Sequence, residues 1–234
     1  MRIENIKKYV INLKSRPDRR DTCLQESEYM GWSDLQIFEA IDTGGYRGCA
    51  LSHMKLAEMA KEMNLPYICV LEDDMFFMPN AKNNLNHALQ LLEQQDWHLL
   101  HLGPHFNRPV SNYNEHLIDM TTLPEMDPKI HRGIHGTHGF IYKSTIYDLI
   151  LDWPDDGMIA IDQHFSQNIY PHKQSFSYHL PIVSQRPSFS NINKSHDNNH
   201  YLLTYNWNLY TQNKLPNAHM SFKTCHDLRA TNDE

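Results

Sequence analysis

Apolar residues fall in short continuous runs that alternate with segments patterned at helical spacing. Lys8 to Leu13 forms a β-rich run and is followed by a polar, arginine-rich stretch from Lys14 to Arg20. A second strand is expected over Gln36 to Ala40, then a glycine-rich loop, Gly44-Gly45-Tyr46-Arg47-Gly48. A helix then runs to about Met63, with Ala50, Met54, Ala57 and Ala60 on one face. Pro66 ends that pattern, because proline lacks a donor and restricts the residue before it. Tyr67 to Leu71 is uninterrupted apolar sequence, the mark of a strand covered on both faces. It stops abruptly at Glu72-Asp73-Asp74.

Beyond Pro79, Leu85, Ala88, Leu89 and Leu92 recur as the stripe of an amphipathic helix. Leu99 to Leu102 and Gly139 to Tyr142 are further strands, and Pro181 to Ser184 is the last. Ser144 is placed to N-cap a helix over Ile146 to Leu151. Between Gly103 and His135 the chain is polar and irregular, a long loop suited to an acceptor-binding lid or edge. The tail carries an aromatic cluster, Tyr201, Tyr205, Trp207 and Tyr210. Alternating strands and helices at this length predict an α/β sheet with helices on both faces. Ligands of such sheets gather at the carboxyl ends of the strands, where the acidic triplet lies.

The 234 residues carry 21 Lys+Arg against 28 Asp+Glu, a net charge of −7, which disfavours a general nucleic-acid binder. No apolar run reaches the roughly 18–20 residues that span a bilayer, and Met1 to Lys8 lacks the apolar core of a secretory signal. The expectation is one domain over 1–234, with a core at about 8–192 and a C-terminal extension over 193–234 packed on it, in the cytoplasm or peripheral at a membrane face. The four cysteines form no CxxC pair, and Cys69 reads as a small buried hydrophobe.

Three adjacent carboxylates repel one another and call for a positive partner. A hard divalent cation with oxygen ligands is the simplest; otherwise they are a solvated strand end capping the next turn. The Gly44-Gly45 loop leading into Gly48–His53 resembles a phosphate cradle at a helix start, without matching a named nucleotide fingerprint. Arg16, Arg19 and Arg20 either contact a diphosphate or form a plain solvated turn. His131, His135 and His138 invite zinc, but Gly133 and Gly136 break the helix that would align the first pair. Asp162 follows an apolar stretch; half-buried, it would have a raised pKa and act as a general base, or it is an N-cap.

In order, Tyr9 to Arg19, Gly48-Cys-Ala-Leu-Ser-His53, Val70 to Asp74, Gly136 to Ser144, Ile161-Asp162 and Gln185 to Ile192 resemble glycosyltransferase family 25. That group contains lipopolysaccharide β-galactosyltransferases and procollagen galactosyltransferases. The resemblance implies a single α/β domain of GT-A type, Rossmann-like, with a mostly parallel central sheet flanked by helices. It implies inverting transfer of a hexose (galactose, glucose or N-acetylglucosamine) from a UDP-sugar, helped by Mn²⁺ or Mg²⁺, to a glycan, lipid-linked glycan or protein acceptor. Glu72-Asp73-Asp74 would be the DXD-like motif, with Asp74 the leading metal ligand, Glu72 beside it and His196 a third, with His179 behind it. Asn12, Arg16, Asp42, Gly48, Ser52 and His53 would line the nucleotide side, and Asp162 would be the base. One departure is Asn191, where the family pattern has an aspartate. A non-catalytic sugar-nucleotide or glycan-binding module, and a metal-dependent hydrolase, are the competing classes.

Overall fold

The computed structural model describes residues 1–106, 111–121, 134–156, 159–192 and 194–197. Its elements run β1 (Lys7–Asn12), α1 (Pro17–Met30), β2 (Leu35–Glu39), α2 (Gly45–Glu62), β3 (Tyr67–Glu72), β4 (Met75–Phe77) and α3 (Ala81–Leu92). There follow β5 (Leu99–His101), β6 (His105–Phe106), β7 (Ser111–Asn112), β8 (Leu117–Asp119), β9 (Ile134–His135) and β10 (Gly139–Lys143). The rest are α4 (Tyr147–Leu151), α5 (Ile161–His164), β11 (Ser175–Tyr178), β12 (Val183–Gln185), β13 (Ser188–Phe189) and β14 (His196–Asp197).

Among the described residues, eight strands form one sheet in the order β2-β1-β3-β10-β5-β11-β8-β7. From the pairings, six strands run one way and only β10 and β8 are reversed, so the sheet is mostly parallel in direction. Side chains alternate between its faces, as a strand's period of two requires. Tyr9, Ile11, Ile68, Val70, Phe140 and Tyr142 face a core shared with α2, α4 and α5. Val10, Cys69, Leu71 and Ile141 face the opposite core, shared with α1 and α3. Covering on both faces explains why β3 reads as continuous apolar sequence.

Three sequence expectations change. The arginine-rich stretch after β1 opens into α1, which ends at left-handed Gly31 (φ +70°) with Trp32 N–H bonded to Ser27 O at 2.8 Å. The segment between Gly103 and His135 is not one long loop: β7 and β8 extend the main sheet, and β6 pairs with β9. Ser144 begins a 3₁₀ turn (Ser144–Ile146) ahead of α4 and makes no side-chain cap. His131 and the tail aromatics Tyr201, Tyr205, Trp207 and Tyr210 lie outside the described residues, as does the proposed extension apart from 194–197. No helix among the described residues is long and apolar enough to cross a membrane.

Candidate active site

β3 carries Glu72 at its last position, and the two-residue turn before β4 carries Asp73 and Asp74. Two cavities open on this strand end. The smaller, about 250 Å³, is lined by Ile41, Asp42, Gly44 and Gly48 on one side and Asn191 and Lys194 on the other. The larger, about 440 Å³, is lined by Tyr46, His135, Thr137, Asp162, Gln185 and Arg186. Arg19, Cys49, Glu72, Asp74, Ser190 and Ile192 border both, so the two are halves of one cleft. Gly48 lets α2 approach the end of β2, since a Cβ there would stand 2.4 Å from Ile41 O.

The three carboxylates have three different environments. Asp73 is wedged between Arg19 Nη1, 2.5 Å from Oδ1, and Asn12 Nδ2, 2.8 Å from Oδ2. Glu72 Oε1 accepts from Cys49 Sγ and His53 Nε2, each at 3.3 Å, and from Thr137 Oγ1. Burial works to raise the Glu72 carboxyl, but His53, Thr137 and nearby His138 outweigh it and hold it low. Asp74 accepts from Gln185 Nε2 at 3.3 Å through Oδ2, while Oδ1 is buried with no hydrogen-bond partner. Burial first, then the charges of Glu72 and Asp73, push Asp74 up to about 7.

A buried carboxylate oxygen without a partner, beside a second carboxylate at the junction of two cavities, fits a hard divalent cation. A softer donor set lies next to it: Cys49, His53 and Glu72 bring one ligand atom each within 4.8 Å of one another. There the Glu72 oxygen is already the acceptor of both the thiol and the imidazole.

Of the expected site residues, Asp42, Gly48, Glu72, Asp73, Asp74 and Asp162 line the cleft. Asn12, Ser52 and His53 are buried and line neither cavity. Asn12 holds Asp73, His53 holds Glu72, and Ser52 Oγ bonds Ile41 N and Gly48 O at 2.9 and 2.7 Å, fixing the loop from inside. Arg16 turns to Asp18 and to Asn191 Oδ1 (2.8 Å), and it is Arg19 that borders the cleft. His196 lies exposed on β14 with its ring 5.5 Å from that of Phe189, and His179 packs against His116 and Tyr178; neither lines either of these two chambers.

Asp162 differs from expectation. It is not the N-cap of α5; Ala160 is, with its N–H bonded to Gln163 Oε1 at 3.1 Å. Nor is its pKa raised. Burial pushes it up, but His135 and the N–H groups of Gly136 and Gln163 outweigh burial and hold it below the usual carboxylate value. Cys49, Thr137, Gln185 and Arg186 also line the cleft and were missed by single-residue reasoning, and His135, which lines it too, was singled out only as a zinc candidate. All but His135 sit inside the segments that carry the family resemblance, which was the available signal.

Behind the cleft, His101 donates through Nε2 to Gly136 O (3.0 Å) and accepts from Gly103 N at Nδ1 (3.3 Å), which requires the neutral ring. Burial pushes both His101 and neighbouring His138 down to about 3.

Fold and site together define a mostly parallel α/β domain with an acidic, two-chambered cleft at the strand ends. The model of Glycosyltransferase family 25 (LPS biosynthesis protein) matches residues 43–149, from the glycine-rich loop to α4. "Putative glycosyltransferase R655" of Acanthamoeba polyphaga mimivirus is 32% identical over 114 residues, 39% of this chain and 35% of that one. Procollagen galactosyltransferase 2 of Mus musculus is 29% identical over 126 residues, 41% of this chain and 20% of that one. "Probable inactive glycosyltransferase 25 family member 3" of Bos taurus is 29% identical over 129 residues, with 41% and 21% covered. The matched segment thus spans about a third or less of these relatives. The family model and these relatives agree that this segment, under half of the chain, resembles glycosyltransferase family 25. Among solved structures, a glycosyltransferase involved in glycosylation of the PBCV-1 major capsid is similar at a TM-score of 0.44 and 9% identity, over 74% of this chain and 81% of that one. A UDP-glucose pyrophosphorylase complexed with UDP-glucose is similar at 0.45 and 8%, over 75% and 74%.

Proposed function

We propose that the chain is a metal-dependent inverting glycosyltransferase that moves a hexose from a UDP-sugar to a hydroxyl of a glycan, lipid-linked glycan or protein. The observation that carries this reading is the buried, unpartnered Asp74 Oδ1 where the two chambers meet. The smaller chamber takes the nucleotide. Asp42, Gly44 and the start of α2 at Gly45 and Gly48, with Asn191 and Lys194, offer it polar side chains, backbone N–H groups and a cation. The larger chamber takes the sugar and the acceptor.

Asp74, with Glu72 beside it, would hold Mn²⁺ or Mg²⁺. When bound, the cation neutralises charge on the departing diphosphate. Arg19 stands at the same junction, already fixed by Asp73, and adds a second positive group to the leaving-group side. Inversion needs the acceptor hydroxyl to attack the anomeric carbon from the face opposite the leaving group and to give up its proton. Asp162, on the wall of the larger chamber, is the negative pole of that acceptor side.

The test is UDP release from a panel of UDP-sugars with Mn²⁺, with and without EDTA, and with candidate acceptors. Release that EDTA and Asp74→Asn both abolish supports the reading. UDP binding by calorimetry without turnover would point instead to a sugar-nucleotide-binding module.

A further inference from the structure

We propose that Cys49, His53 and Glu72 form a second cation site, one that takes zinc or a cation of similar softness and differs from the oxygen site at Asp74. Cys49 and His53 are four residues apart on α2, so both side chains leave one face of the helix. Glu72, the last residue of β3, meets them from the sheet. Its Oε1 lies 3.3 Å from Cys49 Sγ and 3.3 Å from His53 Nε2. Zinc bonds of about 2.0 Å to nitrogen or oxygen and 2.3 Å to sulfur set tetrahedral ligand atoms roughly 3.3–3.5 Å apart. Two edges of such a tetrahedron are therefore in place, and the three donors lie within 4.8 Å of one another.

Thiolate, imidazole and carboxylate are the ligand types that zinc selects, whereas Mg²⁺ and Mn²⁺ favour oxygen. The charges balance too. Binding releases the Cys49 proton to solvent, and thiolate plus carboxylate then neutralise the dication within the protein. Cys49 and Glu72 border both chambers, which gives the cation a path in and leaves its fourth position to a water from the cleft. His53 is fully buried, and its Nδ1 has no hydrogen-bond partner among the described residues. A tight structural zinc site backs that nitrogen with an acceptor. None stands here, so loading is reversible, and without metal the cluster is held by the bonds Glu72 accepts from Cys49, His53 and Thr137.

The two sites share a residue. Zinc bound to Glu72 places a dication beside Asp74 and draws off the carboxylate that the oxygen site uses, since both acids border the same chambers. Zinc at the soft site therefore opposes Mn²⁺ at Asp74. That antagonism rests on the transferase reading above; the soft site itself does not.

The experiment takes the full chain, stripped with EDTA and desalted, and titrates it with Co²⁺ or Zn²⁺ alone. Co²⁺ should raise a cobalt–thiolate charge-transfer band that Zn²⁺ displaces, which separates this site from metal held on surface histidines. Cys49→Ser should abolish the band and weaken Zn²⁺ binding roughly 100-fold, while Asp74→Asn keeps the band and an affinity within about tenfold of wild type. Zn²⁺ should also shield wild-type Cys49 from alkylation, mapped by mass spectrometry, a readout that needs no variant to fold. Mn²⁺ affinity, read by EPR, should fall with Zn²⁺ present in wild type and hold steady in Cys49→Ser. Absence of the band, or alkylation of Cys49 that Zn²⁺ leaves unchanged, overturns the site. So does Zn²⁺ binding that survives Cys49→Ser but is lost in Asp74→Asn, which would assign the ion to the oxygen site. Failure of the wild type to bind Mn²⁺ sinks the metal-dependent transferase reading and the antagonism, while the cobalt band still decides the soft site.

Discussion

On the side of the cleft built by β1, α1 and α2, charge is neutralised inside the protein: Asp73 sits between Asn12 and Arg19, and Arg19 reaches on to Ser188 Oγ at 2.7 Å. One residue along, Asp74 faces the chamber junction with a buried oxygen bonded to nothing. The far wall, built from the β9–β10 turn and the start of α5, carries the titratable pair His135 and Asp162. The same acidic triplet therefore holds two different carboxylates: one closes a structural triad, and its neighbour leaves a buried oxygen unpaired and its carboxyl pushed up to about 7. The contrast teaches that proximity in sequence says little about role; each side chain's partners, recruited from distant elements, assign it.

Asp74→Asn tests that division most severely. If Asp74 holds the cation, turnover should fall roughly 100-fold or more, the several kcal/mol a bound metal supplies to the transition state. In EDTA the same substitution should raise Tm, because it removes a charge that burial, Glu72 and Asp73 all oppose. The sign follows from linkage. With its pKa raised to about 7, folded Asp74 binds more proton than the unfolded residue does between about pH 4 and 7, so the metal-free fold weakens as pH rises through that range. The Tm gained by Asp74→Asn in EDTA should therefore grow from pH 4 to pH 7. A variant less stable than wild type throughout would break the comparison with Asp73.

Asp73→Ala should behave in the opposite way, losing stability with or without metal. It removes the carboxylate that Arg19 Nη1 meets at 2.5 Å in a side chain only 14% exposed, leaving Asp74 as the next negative charge acting on it. Breaking such a pair costs about 3–5 kcal/mol, read as a shift in urea midpoint.

How far these roles were legible in sequence follows the same line. The buried strand Tyr67 to Leu71, the stripes of α2 and α3, and the position of the acidic triplet at a strand exit all come from local pattern. α1 was missed because its buried face is Cys23, Glu26, Ser27 and Met30, which shows no apolar period. Glu26 is buried because Phe77 N and Arg186 meet it there, and Arg186 lies 160 residues away. β11 is four buried residues that read as alternating serine and aromatic, with no long apolar run. In the site, the resemblance located Asp74 and Asp162, but the cage of Cys49, His53 and Thr137 around Glu72 exists only after three elements converge. A carboxylate's neighbours, and hence the direction of its pKa, are tertiary facts.

A smaller effect is expected from the histidines behind the far wall. His101 and His138 are held neutral down to about pH 3, whereas the unfolded rings titrate near 6.5. The unfolded chain then binds more proton in that window, so their contribution is complete above about pH 6.5 and is lost as pH falls toward 3. His101→Gln, compared with wild type in urea titrations from pH 7 to 4.5, should reduce the slope of stability on pH by up to one proton. An unchanged slope would mean that His101 does not stay neutral in the folded chain.

The smallest effect expected is at the rim. Arg47, in the first turn of α2, makes a two-pronged contact with Asp155, Nε to Oδ1 at 2.6 Å and Nη2 to Oδ2 at 2.5 Å, tying the glycine-rich loop's helix to the chain ahead of α5. Its shortest contact equals the 2.5 Å of the single-pronged Arg19–Asp73 pair, but the Arg47 and Asp155 side chains are 46% and 38% exposed. Water and salt screen such a pair, and ordering two mobile side chains offsets what attraction remains. Arg47→Ala should leave the urea midpoint within error of wild type and alter kcat by less than about threefold, since surface pairs carry little energy. Two ion pairs of equal length would then differ in consequence because one is shielded from solvent and the other is not. A midpoint shift for Arg47→Ala comparable to that of Asp73→Ala would refute burial as the deciding variable.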